Sequence, residues 1–337
     1  MTKIAWTIAI VCVLASVCVG VLVGPTAIPP LDIARELIDR LPGIEVASGL
    51  TVSQAAVVWD LRFPRVILAL IVGAMLSIAV AAYQGVFRNP LVDPYLLGVA
   101  AGAGLGATLA IVSGASGQGG ISSPVPIAAF VGASGAVALT YLVGSGRNSV
   151  RPSSILVLAG VAVASLLTAL QTFVQQRNTD NLREVYSFIL GSLSTASWED
   201  VGLALPYVLG SAGVILIHRR LLDVLSVGDD EAATLGLDVA RTRLVIVAAA
   251  TLGTAAAVSV SGLIGFVGII VPHAVRLVTG SSYRRILPLS LAFGGAFMIA
   301  ADIVARTALA PSEVPLGVVT AFFGAPFFLA LLRARQT

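Results

Sequence analysis

Ten apolar stretches recur along the chain, each close to the length that an α-helix needs to cross a lipid bilayer. They occupy residues 4–23, 63–83, 94–112, 124–144, 153–174, 201–217, 243–260, 263–279, 286–305 and 315–333. Only 11% of the 337 residues are charged, which is too little to coat a water-exposed surface of this size. The pattern predicts an all-α membrane protein with about ten transmembrane helices in a single domain over residues 1–337.

The placement of arginines predicts the orientation in the membrane. With the N-terminus in the cytoplasm, this topology puts 13 of the 20 basic residues on the cytoplasmic side and 7 outside. Because cytoplasmic loops are enriched in Lys and Arg, we expect a multi-pass protein of the plasma (inner) membrane with both termini cytoplasmic. Lys3 and the apolar stretch after it also resemble a signal peptide, but the stretch is long for one and no clear cleavage site follows. A retained first helix is therefore expected.

Two connecting segments are predicted to lie outside. In residues 25–61, Ile33, Leu37, Ile38 and Leu41 fall on one helical face, which predicts a short helix along the membrane surface. In residues 177–200, the sequence LREVYSFILG predicts a short external helix at about 182–191. Either Asp180 or Asn181 can cap this second helix, which is too short to span a bilayer.

The segment 218–243, which includes a cytoplasmic coupling segment at 228–243, is the largest polar element predicted on the cytoplasmic side. Asp229 or Asp230 can cap a helix of about two turns there, and Gly236 can end it.

The run GVAAGAGLGA follows a turn that contains two prolines. Asp93 can cap the next helix and Pro94 suits its first turn. Gly98, Gly102 and Gly106 then recur every four residues on one helical face, which predicts the close approach of a neighbouring helix. A dinucleotide-binding loop would need a strand before these glycines and an acidic residue about 20 residues later, and neither is present.

Several classes of function are disfavoured by the residues. A phosphate-binding Walker loop needs a lysine, and the only lysine is Lys3, so we expect a transport subunit without an ATPase site of its own. No Cys or His pattern suits a metal, and His218 and His273 are expected to pack at helix ends. Apart from Asp302, for which an ion pair with Arg306 is expected, acids are rare deep in the apolar stretches, which weakens a self-powered secondary transporter. The net charge of +3 gives no reason to expect a nucleic-acid partner.

Five motifs, in order, resemble those of the FecCD-type permeases, the transmembrane subunits of ABC importers for ferric siderophores, haem and cobalamin. They are WDLRFPRVILALIVGAMLSIAVAAYQGVFRNPLVDPYLLGVAAGAGLGA, LAGVAVASLLTALQTF, TLGLDVARTR, SGLIGFVGIIVPHAVRLVTG and VPLGVVTAFFGAPFF. The resemblance extends from about Trp59 to Arg333. It implies a fold like that of the cobalamin importer permease, a homodimer or close heterodimer in lipid, two cytoplasmic ATPase subunits that bind ATP and Mg, and an external substrate-binding protein.

The resemblance also implies roles for individual residues. Binding-protein docking falls to Arg62, Arg65 and Arg306, whose guanidinium groups suit carboxylates. Coupling to the ATPase falls to Asp229, Asp230, Glu231, Ala232, Ala233, Thr234, Leu235 and Gly236, and the cytoplasmic gate to Ser153 and Ser154. Polarity and position suggest Leu166, Gln171 and Phe173 as pore-lining candidates.

The cargo implied by the resemblance is an iron chelate, with a ferric siderophore first and haem or cobalamin as alternatives. A stand-alone channel or secondary carrier is the competing class, which would transport without nucleotide and would have no use for the segment 229–236.

Overall fold

The computed structural model describes residues 2–40, 48–114, 123–144 and 153–334, without the side chains of residues 2, 3, 153, 154, 331, 332 and 334. This part of the chain contains helices and connecting segments but no β-strand. The α-helices are α1 (Thr2–Leu22), α2 (Pro30–Asp39), α3 (Val52–Ala56), α4 (Phe63–Phe87), α5 (Val99–Val112), α6 (Pro124–Gly144), α7 (Ser153–Arg177), α8 (Leu182–Leu190), α9 (Trp198–Ile217), α10 (Arg219–Leu225), α11 (Asp229–Thr234), α12 (Val239–Ser261), α13 (Val267–Thr279), α14 (Tyr283–Thr307) and α15 (Leu316–Ala334).

Ten of these helices correspond to the ten predicted spans. Within the described residues, seven are long and apolar enough to cross a membrane: α1, α4 with the segment before it, α6, α7, α9, α12 and α14. Three are apolar but shorter, namely α5, α13 and α15. The predicted fold class is therefore confirmed, as a bundle of about ten apolar helices.

Two span boundaries were predicted wrongly, for the same physical reason. The stretch 94–112 is not one helix, because a 3₁₀ turn at Pro94–Leu97 ends at Gly98, whose φ of +92° breaks the α-helical path. The stretch 263–279 becomes helical only at Val267, after Gly262 and Phe266 with φ of +68° and +67°. Left-handed dihedrals of this kind interrupt a helix whatever the hydrophobicity of its residues.

Helix α4 lies at the centre of the bundle. Nearly all of its residues are buried, and α9, α12, α13 and α14 pack around it. At the closest crossing, a Cβ on Gly73 would lie 2.3 Å from the carbonyl oxygen of Gly294. Glycine is required there because the α4 and α14 backbones are nearly in contact.

The glycines of α5 form a second close crossing, with α6. A Cβ on Gly102 would lie 2.2 Å from the oxygen of Gly132, and one on Gly106 would lie 2.1 Å from the oxygen of Ala128. Gly98 differs from both, because it lies before the first residue of the helix and a Cβ there would meet its neighbours at ordinary distances of 3.5 Å or more. Of the three glycines spaced four apart, Gly102 and Gly106 thus pack against α6, whereas Gly98 lies in a turn.

This crossing predicts a sharp contrast between two glycines. Gly106→Ala should force α5 and α6 apart and lower the free energy of unfolding by about 1–3 kcal/mol, the usual cost of overpacking. Gly135→Ala is the matched control, because Gly135 lies on α6 with nothing within 4 Å of its Cβ position. The control should be neutral or stabilising by up to about 1 kcal/mol. Thermal unfolding in detergent measures both, and equal stability of the two variants would contradict the crossing.

The surface helix predicted in residues 25–61 exists as α2, but it is tied into the protein. Ile33 is fully buried, and Glu36 accepts a hydrogen bond from Trp59 Nε1 at 3.0 Å. Hydrogen bonds from Ser48 and Trp59 lower the pKa of Glu36. Of the predicted apolar face, Ile33 is buried in the protein whereas Ile38 is 42% exposed; the predicted Leu41 lies outside the described residues.

Candidate functional sites

Helix α11 lies at the end of the bundle where α4 ends and α12 begins; we call this the α11 end. Asp229 forms ion pairs with Arg243, at 3.0 Å, and with Arg88, at 3.2 Å. The predicted capping by Asp229 or Asp230 is wrong, because Gly228 occupies the N-cap position and no side chain caps the helix. The carboxylate of Asp229 instead attaches α11 to the ends of α4 and α12.

The preceding helix, α10, is attached to α14 in a similar way. The side chain of Asp223 accepts hydrogen bonds from Ser282 Oγ at 2.9 Å and from the Tyr283 amide at 2.5 Å. These two residues begin α14. Helix α11 is thus attached to α4 and α12, and α10 is attached to α14.

The eight residues predicted to couple the chain to an ATPase differ in how exposed they are to solvent. Leu235 is 71% exposed, and Glu231, Ala233 and Thr234 are also exposed. Ala232, in contrast, is fully buried in the core of the chain. Ala232 is therefore not available to a partner, and the exposed surface of this segment consists of the other residues, with Val227, 67% exposed, beside them.

The opposite end of the bundle, which we call the α2 end, contains a buried cluster of charges. Arg65 donates from Nε to Asp302 Oδ1 at 2.8 Å, and from both Nη atoms to the Glu313 carboxylate at 2.7 and 2.9 Å. Arg306 lies 3.4 Å from Asp302 Oδ2 and donates to the Gly20 carbonyl oxygen at 2.6 Å. The ion pair expected between Asp302 and Arg306 is therefore present, and Glu313 is a partner that sequence reasoning missed.

All three arginines predicted to dock a binding protein are buried. Arg62 is 4% exposed and Arg306 is 2% exposed. Arg62 donates to the carbonyl oxygens of Val21 and Leu22, at the end of α1. In this structure the three guanidinium groups connect α1, α4 and α14 and are buried, and the docking role expected of them stays a prediction.

The pore candidates on α7 separate into two groups. Gln171 is buried and donates to Thr108 Oγ1 of α5 at 3.2 Å, so it packs between helices and does not face a path. Leu166 and Phe173 are 56% and 57% exposed. The predicted gate residues Ser153 and Ser154 are the first two residues of α7, and their side chains lie outside the described part of the chain.

Helix α7 also exposes a row of polar side chains that sequence reasoning missed. Ser165, Thr168, Thr172 and Gln176 are exposed and recur every three or four residues, so they follow one helical face. The hydroxyls of Ser165 and Thr172 donate to the carbonyl oxygens of Val161 and Thr168 in the same helix, at 2.8 and 2.9 Å. The exposed side-chain amide of Gln176 remains unfavourable against lipid tails. This face therefore suits water or a second protein surface.

The short helix predicted at about 182–191 is present as α8, and its C-terminal end meets α12 and α15. Ser192 N donates to Ser261 O at 2.9 Å, Leu263 N to Phe188 O at 3.2 Å, and Leu316 N to Gly191 O at 2.9 Å. We call this meeting point the α8 junction. The predicted caps Asp180 and Asn181 do not form a side-chain cap; Asn181 Nδ2 donates to Ile111 O at 3.4 Å instead.

His218 lies at the end of α9, as expected, but the predicted helix-end position of His273 is wrong, because His273 lies in the middle of α13. His218 Nδ1 lies 2.8 Å from the Val214 carbonyl oxygen. The ring of His273 packs edge-on against Phe327, with 6.0 Å between centroids. Neither contact resembles a metal site, and in the described residues no three Cys, His, Asp or Glu side chains come together.

Comparison with known proteins identifies the family. Residues 10–334 match the model of the FecCD transport family. The cobalamin import system permease protein of Halobacterium salinarum is 44% identical over 86% of this chain and 76% of its own length. The hemin transport system permease protein of Yersinia pestis is 37% identical over 83% of this chain and 84% of its own length.

A solved structure shows the same architecture. It is described as an inward-facing conformation of a metal-chelate type ABC transporter. The two chains superpose with a TM-score of 0.83 at 28% identity, over 99% of this chain and 100% of the other. The chain belongs to the FecCD transport family and is a transmembrane permease subunit of an ABC importer.

Proposed function

We propose that this chain forms a homodimer that imports a metal chelate, with two cytoplasmic ATPase subunits at the α11 end and an external binding protein at the α2 end. Both termini and α11 then lie in the cytoplasm. ATP and Mg bind only to the ATPase partner. The observation that carries the proposal is α11 itself, a short helix that is fixed to α4 and α12 by Asp229 and presents Leu235 to a partner.

The candidate cargo is a ferric siderophore or cobalamin. The siderophore was expected from the sequence resemblance. Cobalamin is supported by the 44% identity to the cobalamin permease, against 37% to the hemin permease. The polar face of α7, which starts at Ser165, fits the wall of a path between two copies of the chain, because hydroxyl and amide groups can hydrogen-bond to water or cargo.

A positive surface for the external binding protein is still available at the α2 end. Arg35 and Arg40 of α2 are exposed, with side chains 45% and 62% accessible. Arg177, the last residue of α7, and Arg183, in the first turn of α8, are also exposed. We propose these four arginines as docking contacts in addition to the three buried ones.

Reconstitution in proteoliposomes tests the function. The chain is combined with an ATPase and a binding protein of the same importer, and uptake of radiolabelled cobalamin is compared with uptake of a ⁵⁵Fe-siderophore. We expect uptake of one cargo, at least about tenfold above the level without ATP. Equal uptake by the permease alone would identify a channel or secondary carrier and reject the proposal.

A further inference from the structure

A cavity of about 310 Å³ opens at the α11 end, beside the ion pairs of Asp229. Its lining comes from the end of α4, the residues that follow α10, and the polar side of α13 and α14. The charged or polar side chains among these residues are Gln84, Arg88, Asn89, Ser226, His273, Arg276 and Tyr283. None of the lining residues is an acid, although two of them are arginines.

Arg276 is the main source of positive charge in this cavity. Its Nη2 donates to Gln84 Oε1 at 2.9 Å and lies 3.5 Å from the Tyr283 hydroxyl, and its guanidinium lies 5.8 Å from the Tyr283 ring. In the described residues no carboxylate lies within ion-pair distance of Arg276. All these partners are neutral, so the positive charge of the guanidinium is not compensated by them.

The acids near the cavity are already engaged. Asp229 is shared between Arg88 and Arg243. Asp223 accepts hydrogen bonds from Ser282 and Tyr283 at the start of α14. Two arginines, Arg88 and Arg276, therefore line the cavity, and in the described residues only Arg88 has a carboxylate partner.

The C-terminal dipoles of α4 and α13 offset part of this charge. Each contributes roughly half a negative elementary charge, and Arg276 lies in the last turn of α13. A structural role for Arg276 at that dipole is thus the alternative to a binding role. The helix dipole would explain the position of Arg276 but not the cavity beside it. The volume of the cavity is about ten times the ~30 Å³ that one water molecule occupies in the liquid.

We propose that this cavity is a binding site for an oxyanion of the phosphate type. Arg88 and Arg276 can hold phosphate oxygens through several N–H groups at once. Asn89 accepts from the Leu91 amide through Oδ1, which leaves its Nδ2 hydrogens to donate. The phosphate comes from an acidic lipid headgroup or from solution, and basic pockets between membrane helices are suited to the former.

The experiment compares phosphate and lipid binding in the purified full-length chain. In detergent, inorganic phosphate should raise the thermal unfolding midpoint above that in chloride at equal ionic strength. In nanodiscs with and without phosphatidylglycerol, native mass spectrometry should detect retained anionic lipid. A phosphate response supports a soluble oxyanion, and lipid retention without a phosphate response supports a headgroup.

Variants decide whether the cavity is responsible. Arg276→Gln should abolish whichever response the wild type shows, and Arg276→Lys should retain part of it. Arg284→Gln is the control, because Arg284 is exposed at the same end of the bundle and does not line the cavity. If the wild type shows neither response, or if Arg276→Gln lowers stability but leaves the response intact, the site is rejected. These measurements do not involve transport, so their failure would leave the importer assignment unaffected.

Discussion

Asp302→Asn is expected to lower the free energy of unfolding by about 3–5 kcal/mol, the cost of breaking a buried ion pair on one side. Asp302 is fully buried and lies between Arg65 and Arg306. Asparagine keeps the volume of the side chain but removes its charge. Arg65 would retain Glu313, whereas Arg306 would lose its only ion-pair partner in the described residues. Thermal or denaturant unfolding in detergent measures the loss.

The matched control for Asp302 is an exposed ion pair at the same end of the bundle. Asp32 lies 3.4 Å from Arg35, whose side chain is 45% accessible. Asp32→Asn should therefore cost less than about 1 kcal/mol. If Asp302→Asn proved as mild as this control, the buried cluster would not hold α1, α4 and α14 together.

Leu235→Asp is expected to abolish ATP-driven uptake while leaving the fold intact. Leu235 is 71% exposed at the end of α11, so the variant removes an apolar contact with the ATPase without opening the core. Central apolar contacts at interfaces are often worth about 2 kcal/mol or more. We therefore expect at least about a tenfold loss of ATPase affinity. Pull-down of the ATPase and proteoliposome uptake measure the two effects.

A matched control makes the Leu235 experiment specific. Ala240→Asp adds the same charge to an exposed position near the start of α12 and should leave affinity unchanged. Ala232→Asp is uninformative, because Ala232 is fully buried and a charge there would disrupt the chain's own packing. Normal uptake by Leu235→Asp would show that α11 is not the contact with the ATPase.

The number and the approximate positions of the membrane helices could be predicted from apolar length alone. The boundaries at Gly98 and Phe266 could not, because left-handed dihedrals leave no mark on a hydrophobicity pattern. The presence of glycine at Gly98 was visible, but its spacing with Gly102 and Gly106 suggested packing for all three. Only the backbone shows that the first of them is a turn.

The partners of the charged and polar residues were the least predictable part. Arg65 and Glu313 are 248 positions apart in sequence, and no local pattern links them. Gln171 was chosen as a pore residue because it is polar, yet Thr108 on a neighbouring helix determines the side to which it turns. The ion pair between Asp302 and Arg306 could be predicted, because both residues lie on one helix and are four positions apart.

The α8 junction constrains how the importer can open. Amides of Ser192, Leu263 and Leu316 satisfy carbonyl groups at the ends of α8 and α12. Pulling α8 away would strand several of these groups at once in apolar surroundings, at roughly 1–3 kcal/mol for each. The wall beside α8 is therefore expected to stay attached to α12 and α15, so that in the proposed homodimer the cargo passes when the two copies of the chain separate.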